Sequence, residues 1–120
     1  MMKIFRSYIF HAARFIPTLE EEHPCSKMHG HTFNIVVEIE GDIDKSTGFV
    51  MDFYDIDKVV NLNILKVIDH KILNDIPGLE NPSSEYLSVW IWNNLINDLP
   101  LLSKVTISEE HGTGMEYAGK

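Results

Sequence analysis

Apolar and polar residues alternate along the first third of the chain as half-buried β-strands require. Residues 31–40, HTFNIVVEIE, show the clearest alternation, and 3–15 are rich in aromatic and β-branched residues. The segment 16–28 lacks a clean period and carries two prolines and an acidic run, which indicates a loop. One face of the second predicted strand carries His31, Phe33, Ile35, Val37 and Ile39.

The pattern then changes from strand to helix and back. FVMDF, at 49–53, follows a turn-rich segment and predicts a third strand. Helical spacing of apolar residues predicts one helix over 55–68 and a second from about Pro82 to Asn97. KVTISEE and MEYAG predict the final two strands, separated by an HGTG turn.

The order of hairpin, two helices and hairpin predicts an α+β fold. We expect a single domain over residues 1–120, a four-stranded antiparallel sheet with two helices on one face, in ββααββ order. Such a layer leaves unpaired sheet edges, which small proteins commonly protect by forming homo-oligomers.

Composition narrows the classes of function. The net charge of −8 and the two arginines argue against nucleic acid as a partner, although a small phosphorylated ligand remains compatible. No apolar run is long enough for a membrane span, and the start lacks the apolar core of a signal peptide. The lone cysteine fits a reducing compartment, so we expect a cytoplasmic protein without membrane partners.

Chemistry-bearing residues cluster in HPCSKMHGH, where three of the six histidines and the only cysteine occupy residues 23–31. His29 and His31 share strand parity, so both imidazoles point to one side, as a tetrahedral zinc requires. Two ligands do not make a zinc site, so a pair of ordinary loop-end histidines remains the alternative. Cys25 lies among these histidines, where a nearby cation or metal would favour the reactive thiolate.

Two further features suggest residues for catalysis and for ligand binding. Asp69 and His70 can form an orienting acid–base pair, or His70 can merely complement the negative end of a helix. Glu109 shares parity with apolar strand residues, so it is expected to point inward and to accept bonds from a guanidine-like edge. A one-residue slip would instead turn Glu110 inward.

Taken together, these segments resemble the 6-pyruvoyl-tetrahydropterin synthase / 6-carboxytetrahydropterin synthase family. The resemblance covers nearly the whole chain and rests on FHAARFIP, HPCSKMHGH, GFVMDF, DHKILND, PGLENPSSEYLSVWIW and ISEE. The run LNDIPGLENPSSE is most similar to bacterial 6-carboxytetrahydropterin synthases of queuosine biosynthesis. The resemblance implies the tunnelling fold (T-fold), assembly as trimers or hexamers, and sites between subunits.

The same resemblance implies roles for individual residues. His29 and His31 would bind Zn²⁺, Cys25 would abstract a proton, Asp69 and His70 would be the acid–base pair, and Glu109 would anchor the pterin. The implied reaction converts 7,8-dihydroneopterin triphosphate to 6-carboxytetrahydropterin. A 6-pyruvoyl-tetrahydropterin synthase and a non-catalytic pterin-binding paralogue remain alternatives.

Arg14 departs from the family pattern, which has the third zinc-binding histidine at that position. Arginine is a fixed cation and a poor metal ligand. His11 has the opposite strand parity, so we expect His23, in the loop beside Cys25, to be the third ligand. Alternatively, Arg14 replaces the positive charge of the metal and contacts the triphosphate.

Overall fold

The computed structural model describes all 120 residues, which form one antiparallel sheet and a helical layer. Strand order along the sheet follows chain order, and every neighbouring pair is antiparallel. The predicted four-stranded antiparallel sheet is therefore confirmed. Its strands are β1 (Met2–Arg14), β2 (His29–Gly41), β3 (Leu102–Glu109) and β4 (Gly114–Tyr117).

The helical layer consists of one interrupted helix and one regular helix. The first is α1 (Phe53–Val60), which continues through a π-helical turn (Asn61–Leu65) into α2 (Lys66–Ile68). The second, α3 (Ser84–Leu95), begins at Ser83, whose hydroxyl accepts the backbone N–H of Tyr86. Two short 3₁₀ turns, Pro24–Ser26 and Leu73–Asp75, lie in the connections.

The prediction of a strand at FVMDF is wrong. Phe49 makes only an isolated bridge to Asp44, and the Asp52 carboxylate accepts the N–H of Tyr54 as the N-cap of α1. The segment therefore leads into the helix and adds no strand to the sheet.

One face of the sheet packs against the helices, and the opposite face is exposed to solvent. Residues of β1, β2 and β3 form one buried cluster with Ile56, Ile64, Leu87 and Ile91 of the helical layer. On the opposite face, the Phe5 and Ile9 residues of β1 are 66% and 60% exposed. No helix is both long enough and apolar enough to cross a membrane.

Candidate functional site

The predicted site residues converge at the end of the sheet where β1 ends and β2 begins. Backbone pairing places Arg14 opposite His29 and Ala12 opposite His31, on the face that the helices cover. Pairing of β2 with β3 places Glu109 opposite Phe33 on the same face. The expected parity of His29, His31 and Glu109 is therefore confirmed, whereas Glu110 lies beyond the end of β3.

Arg14 forms a buried ion pair with Glu109, and both side chains are largely excluded from solvent. Nη2 donates to Glu109 Oε1, and Nη1 donates to the Pro82 carbonyl at 3.1 Å and to Ser84 Oγ at 2.9 Å. The guanidinium carbon lies 5.1 Å from the centre of the Phe33 ring, within cation–π range. Arg14 is thus directed into the protein, an orientation unlike that of an exposed phosphate ligand.

The Glu109 carboxylate is held from two sides. Arg14 donates to Oε1, and Thr113 Oγ1 donates to Oε2 at 3.2 Å. A carboxylate offers about four acceptor positions, so roughly two remain for a further donor pair. The arrangement orients Glu109 and leaves it able to accept two N–H groups.

His29 and His31 lie side by side, with ring centres 4.4 Å apart. Nδ1 of His29 lies 2.6 Å from the Lys27 carbonyl, which can only accept. In the neutral ring Nδ1 therefore carries the proton and Nε2 keeps its lone pair, as in many metal-binding histidines.

His31 is more deeply buried, and neither of its ring nitrogens has a hydrogen-bond partner. Burial, followed by the nearby Arg14 cation, lowers the pKa of His31 below its usual 6.5, so the ring is neutral at pH 7. Buried polar atoms without partners are rare in native proteins, and a bound ligand is one explanation. The chemistry of the His29–His31 pair therefore fits a divalent metal.

The turn between β3 and β4 brings two more potential ligands to His31. Glu110 Oε1 lies 3.8 Å from His31 Nδ1 and 3.9 Å from His111 Nε2. Potential ligand atoms of these three residues all lie within 4.8 Å of one another. Sequence reasoning did not identify His111, yet extending the β2–β3 register by two residues places it opposite His31.

His23 is not part of this cluster. Its side chain is exposed, and Nδ1 accepts the backbone N–H of Cys25 at 3.1 Å. That bond caps the short 3₁₀ turn and engages one of the two ring nitrogens. The geometry therefore does not favour His23 as the third ligand beside His29 and His31.

Cys25 lies in the same 3₁₀ turn and is half-buried. It lines a cleft of about 310 Å³ together with Arg14, Ser84 and Glu109. A thiol and an oriented carboxylate thus face one shared space. The lining of this cleft therefore includes both a hydrogen-bond acceptor and a thiol.

Asp69 and His70 follow α2 and form the expected pair, with Nδ1 of His70 3.0 Å from Asp69 Oδ1. Asp69 Oδ1 also accepts the backbone N–H of His11 at 3.0 Å, and the His70 N–H donates to the His11 carbonyl. The pair is thereby tied to the free edge of β1. His70 lines a second cleft, of about 480 Å³, that also contains His31 and Glu110 but not Cys25.

Comparison with known proteins identifies the family of the chain. A family model described as 6-pyruvoyl tetrahydropterin synthase matches residues 3–120. The chain is 38% identical over 93 residues to a dihydroneopterin monophosphate aldolase of Pyrococcus furiosus, covering 75% of this chain and 77% of that protein. It is 33% identical to a 6-carboxy-5,6,7,8-tetrahydropterin synthase of Synechocystis, covering 98% and 93%.

A solved structure supports the fold independently. The 6-pyruvoyl tetrahydropterin synthase of Caenorhabditis elegans superimposes with a TM-score of 0.90 at 24% identity, over 99% of this chain and 96% of that one. Such similarity identifies the architecture as the T-fold. By its sequence match and its fold, the chain belongs to the 6-pyruvoyl tetrahydropterin synthase family, whose members are lyase-type pterin synthases.

Proposed function

We propose that the protein converts 7,8-dihydroneopterin triphosphate and water to 6-carboxy-5,6,7,8-tetrahydropterin, acetaldehyde and triphosphate, as a step of queuosine biosynthesis. The observation that carries the proposal is the cleft shared by the Cys25 thiol and the oriented Glu109 carboxylate. The relative of the same activity, which aligns over 98% of the chain, supports it. The reaction needs no external reductant, because the ring gains the electron pair that the side chain loses.

Glu109 accepts the pterin amine and the neighbouring ring N–H through its two remaining acceptor positions. Arg14 acts as a positioning residue, because its bond to Oε1 fixes the carboxylate. The pterin ring then lies in the cleft with its side chain towards Cys25.

Cys25, as a thiolate, takes the proton from the side-chain carbon next to the ring. Asp69 holds the imidazole of His70 through Nδ1, so that Nε2 returns a proton to the intermediate. Cys25 and His70 line different clefts of one chain. In this proposal a neighbouring copy supplies the Asp69–His70 pair beside each Cys25.

His29 and His31 would hold Zn²⁺ in this proposal, through the free Nε2 of His29 and an unpartnered nitrogen of His31. When bound, the ion would supply a Lewis acid for the negative charge that develops on the substrate oxygen.

A homo-oligomer, a trimer or a hexamer, is the proposed assembly. The radius of gyration is 15.4 Å, against about 14 Å expected for a compact chain of this length. Phe5 and Ile9 are exposed on one face of the sheet, and β1 and β4 are its edge strands. A ring of copies would cover both this face and these edges.

Incubation with 7,8-dihydroneopterin triphosphate, with and without added zinc, followed by mass spectrometry of the pterin product, tests the activity. We expect the mass of 6-carboxytetrahydropterin. A 6-pyruvoyl product would identify the alternative synthase, side-chain cleavage of dihydroneopterin monophosphate would identify an aldolase like the Pyrococcus relative, and unchanged substrate would indicate a non-catalytic paralogue.

A further inference from the structure

We propose that Glu110 and His111, from the turn between β3 and β4, complete a divalent-cation site with His31. The inference rests on the proposed function, because it supplies ligands for the same cation. It departs from the three-histidine pattern that the family resemblance implies, in which the residue at position 14 would be a ligand. His29, whose ring centre is 4.4 Å from that of His31, is a further potential donor.

The unpartnered nitrogens of His31 are the first support. Both are buried, and the carboxylate oxygens nearest Nδ1 lie 3.8 Å away, too far for a hydrogen bond. A separation of 3.8 Å is too long for a hydrogen bond, but it is close to the distance between two ligand atoms that bind the same ion. Two ligands on a tetrahedral zinc lie roughly 3.3 Å apart, given bonds of about 2.0–2.1 Å.

The charges at this end of the sheet are the second support. Arg14 and Glu109 neutralise each other through their buried contact. His29 and His31 would be neutral ligands, so without a further anion the site would offer a dication no net negative charge. Glu110 supplies that anion, and its carboxylate is not bonded to any lysine or arginine.

The base of the turn is fixed while its tip can adjust. The Glu109 N–H donates to the Thr113 carbonyl at 3.0 Å, and Thr113 Oγ1 donates back to the Glu109 carboxylate. Glu110 and His111 are 45% and 76% exposed, so small rotamer changes can close the present 3.8–4.8 Å separations.

The neighbouring cleft provides an open position. Its lining includes His31, Glu110 and His70, with Gly30 contributing no side chain. A cation on three protein ligands would keep one coordination position towards this space, as catalytic zinc sites do.

Metal binding to the full-length protein tests the inference directly. Metal-free protein is titrated calorimetrically with Zn²⁺ and with Co²⁺, and the bound metal is counted by mass spectrometry after dialysis. Glu110→Gln and His111→Ala should each weaken the Kd more than about 100-fold, beyond the roughly 10–100-fold that an indirect partner costs. The metal-induced rise in melting temperature should shrink in parallel.

His23→Ala is the matched control, because it removes another exposed histidine of the chain and should leave the Kd unchanged. Wild-type affinity in Glu110→Gln and His111→Ala, loss of metal in His23→Ala, or no binding by the wild type would each overturn the inference. Tight binding without pterin turnover would refute the proposed function alone. Turnover by metal-free protein would refute the Lewis-acid role of the metal in the proposed function and would leave the cation site standing.

Discussion

At the scale of single residues, Arg14 orients part of the site through its contact with Glu109. Its guanidinium pairs with Glu109, so an arginine side chain supplies the positive charge at this position. Removing one partner of a buried ion pair leaves the other charge uncompensated, which typically costs about 3–5 kcal/mol. Replacing both partners is far less costly, because no charge then remains buried.

Arg14→Met should therefore lower the free energy of unfolding by about 3–5 kcal/mol, measured by urea denaturation. The double variant Arg14→Met/Glu109→Gln should recover much of that loss. Lys104→Ala is a control, because it removes a solvent-exposed pair with Glu116 and should cost no more than about 1 kcal/mol. Equal losses in the single and double variants would show that the pair is not the cause.

Cys25→Ala should fold like the wild type, because the cysteine side chain is small and half-buried. Its turnover should fall by about 10²–10⁴-fold, as expected when a proton-transfer group is lost. Stopped-flow and steady-state assays give the rate, and equilibrium dialysis with the pterin gives an affinity that should remain near wild type. Retained turnover would exclude Cys25 from the proton transfer.

At the scale of elements, alternation along the strands was sufficient to predict the buried face. Because side chains alternate, His29, His31 and Glu109 had to share a face once the strands were identified. Alternation cannot reveal which residues a turn places beside a strand, so it does not predict that His111 lies near His31. The predicted strand at FVMDF failed because its alternation is short and Asp52 instead begins a helix.

A polar cluster links β1 to α1. The Asp57 carboxylate accepts Arg6 Nε at 2.9 Å and Tyr8 Oη at 2.6 Å. These hydrogen bonds, from Arg6 first and then from Tyr8, lower the pKa of Asp57 below its usual 3.8. A depressed carboxyl pKa stabilises the fold above the unfolded pKa, and that stabilisation is lost as the pH falls through the folded pKa.

Asp57→Asn should therefore reduce stability at pH 7 and have progressively less effect below about pH 5. The difference in the free energy of unfolding between wild type and variant should become smallest once the pH is below the folded pKa of Asp57. Urea denaturation across the acid range measures this difference. A difference that stays constant with pH would show that the loss comes from altered packing and not from the lost charge.

At the scale of the whole molecule, the proposed catalytic residues of one copy line two separate clefts. Cys25 and Glu109 line one cleft, while Asp69 and His70 are held at the edge of β1 beside another. An assembly that joins sheet edges would bring a neighbouring copy's pair to each Cys25, and it would cover the bare face of the sheet.

Mixing two inactive variants tests this arrangement. Cys25→Ala and His70→Ala, unfolded together in equal amounts and refolded, should regain up to about a quarter of wild-type turnover if each site combines two copies. Each variant refolded alone is the control. No recovery in mixed oligomers of confirmed mass would place both residues in the same copy's site.

The products of one incubation test whether the protein is a 6-carboxytetrahydropterin synthase. Purified protein is incubated with 7,8-dihydroneopterin triphosphate, and acetaldehyde and triphosphate are quantified over time against Cys25→Ala. Both products should appear in equal amounts and at the same rate, together with 6-carboxytetrahydropterin. Release of triphosphate without acetaldehyde, or no release of either by the zinc-loaded protein, would contradict it.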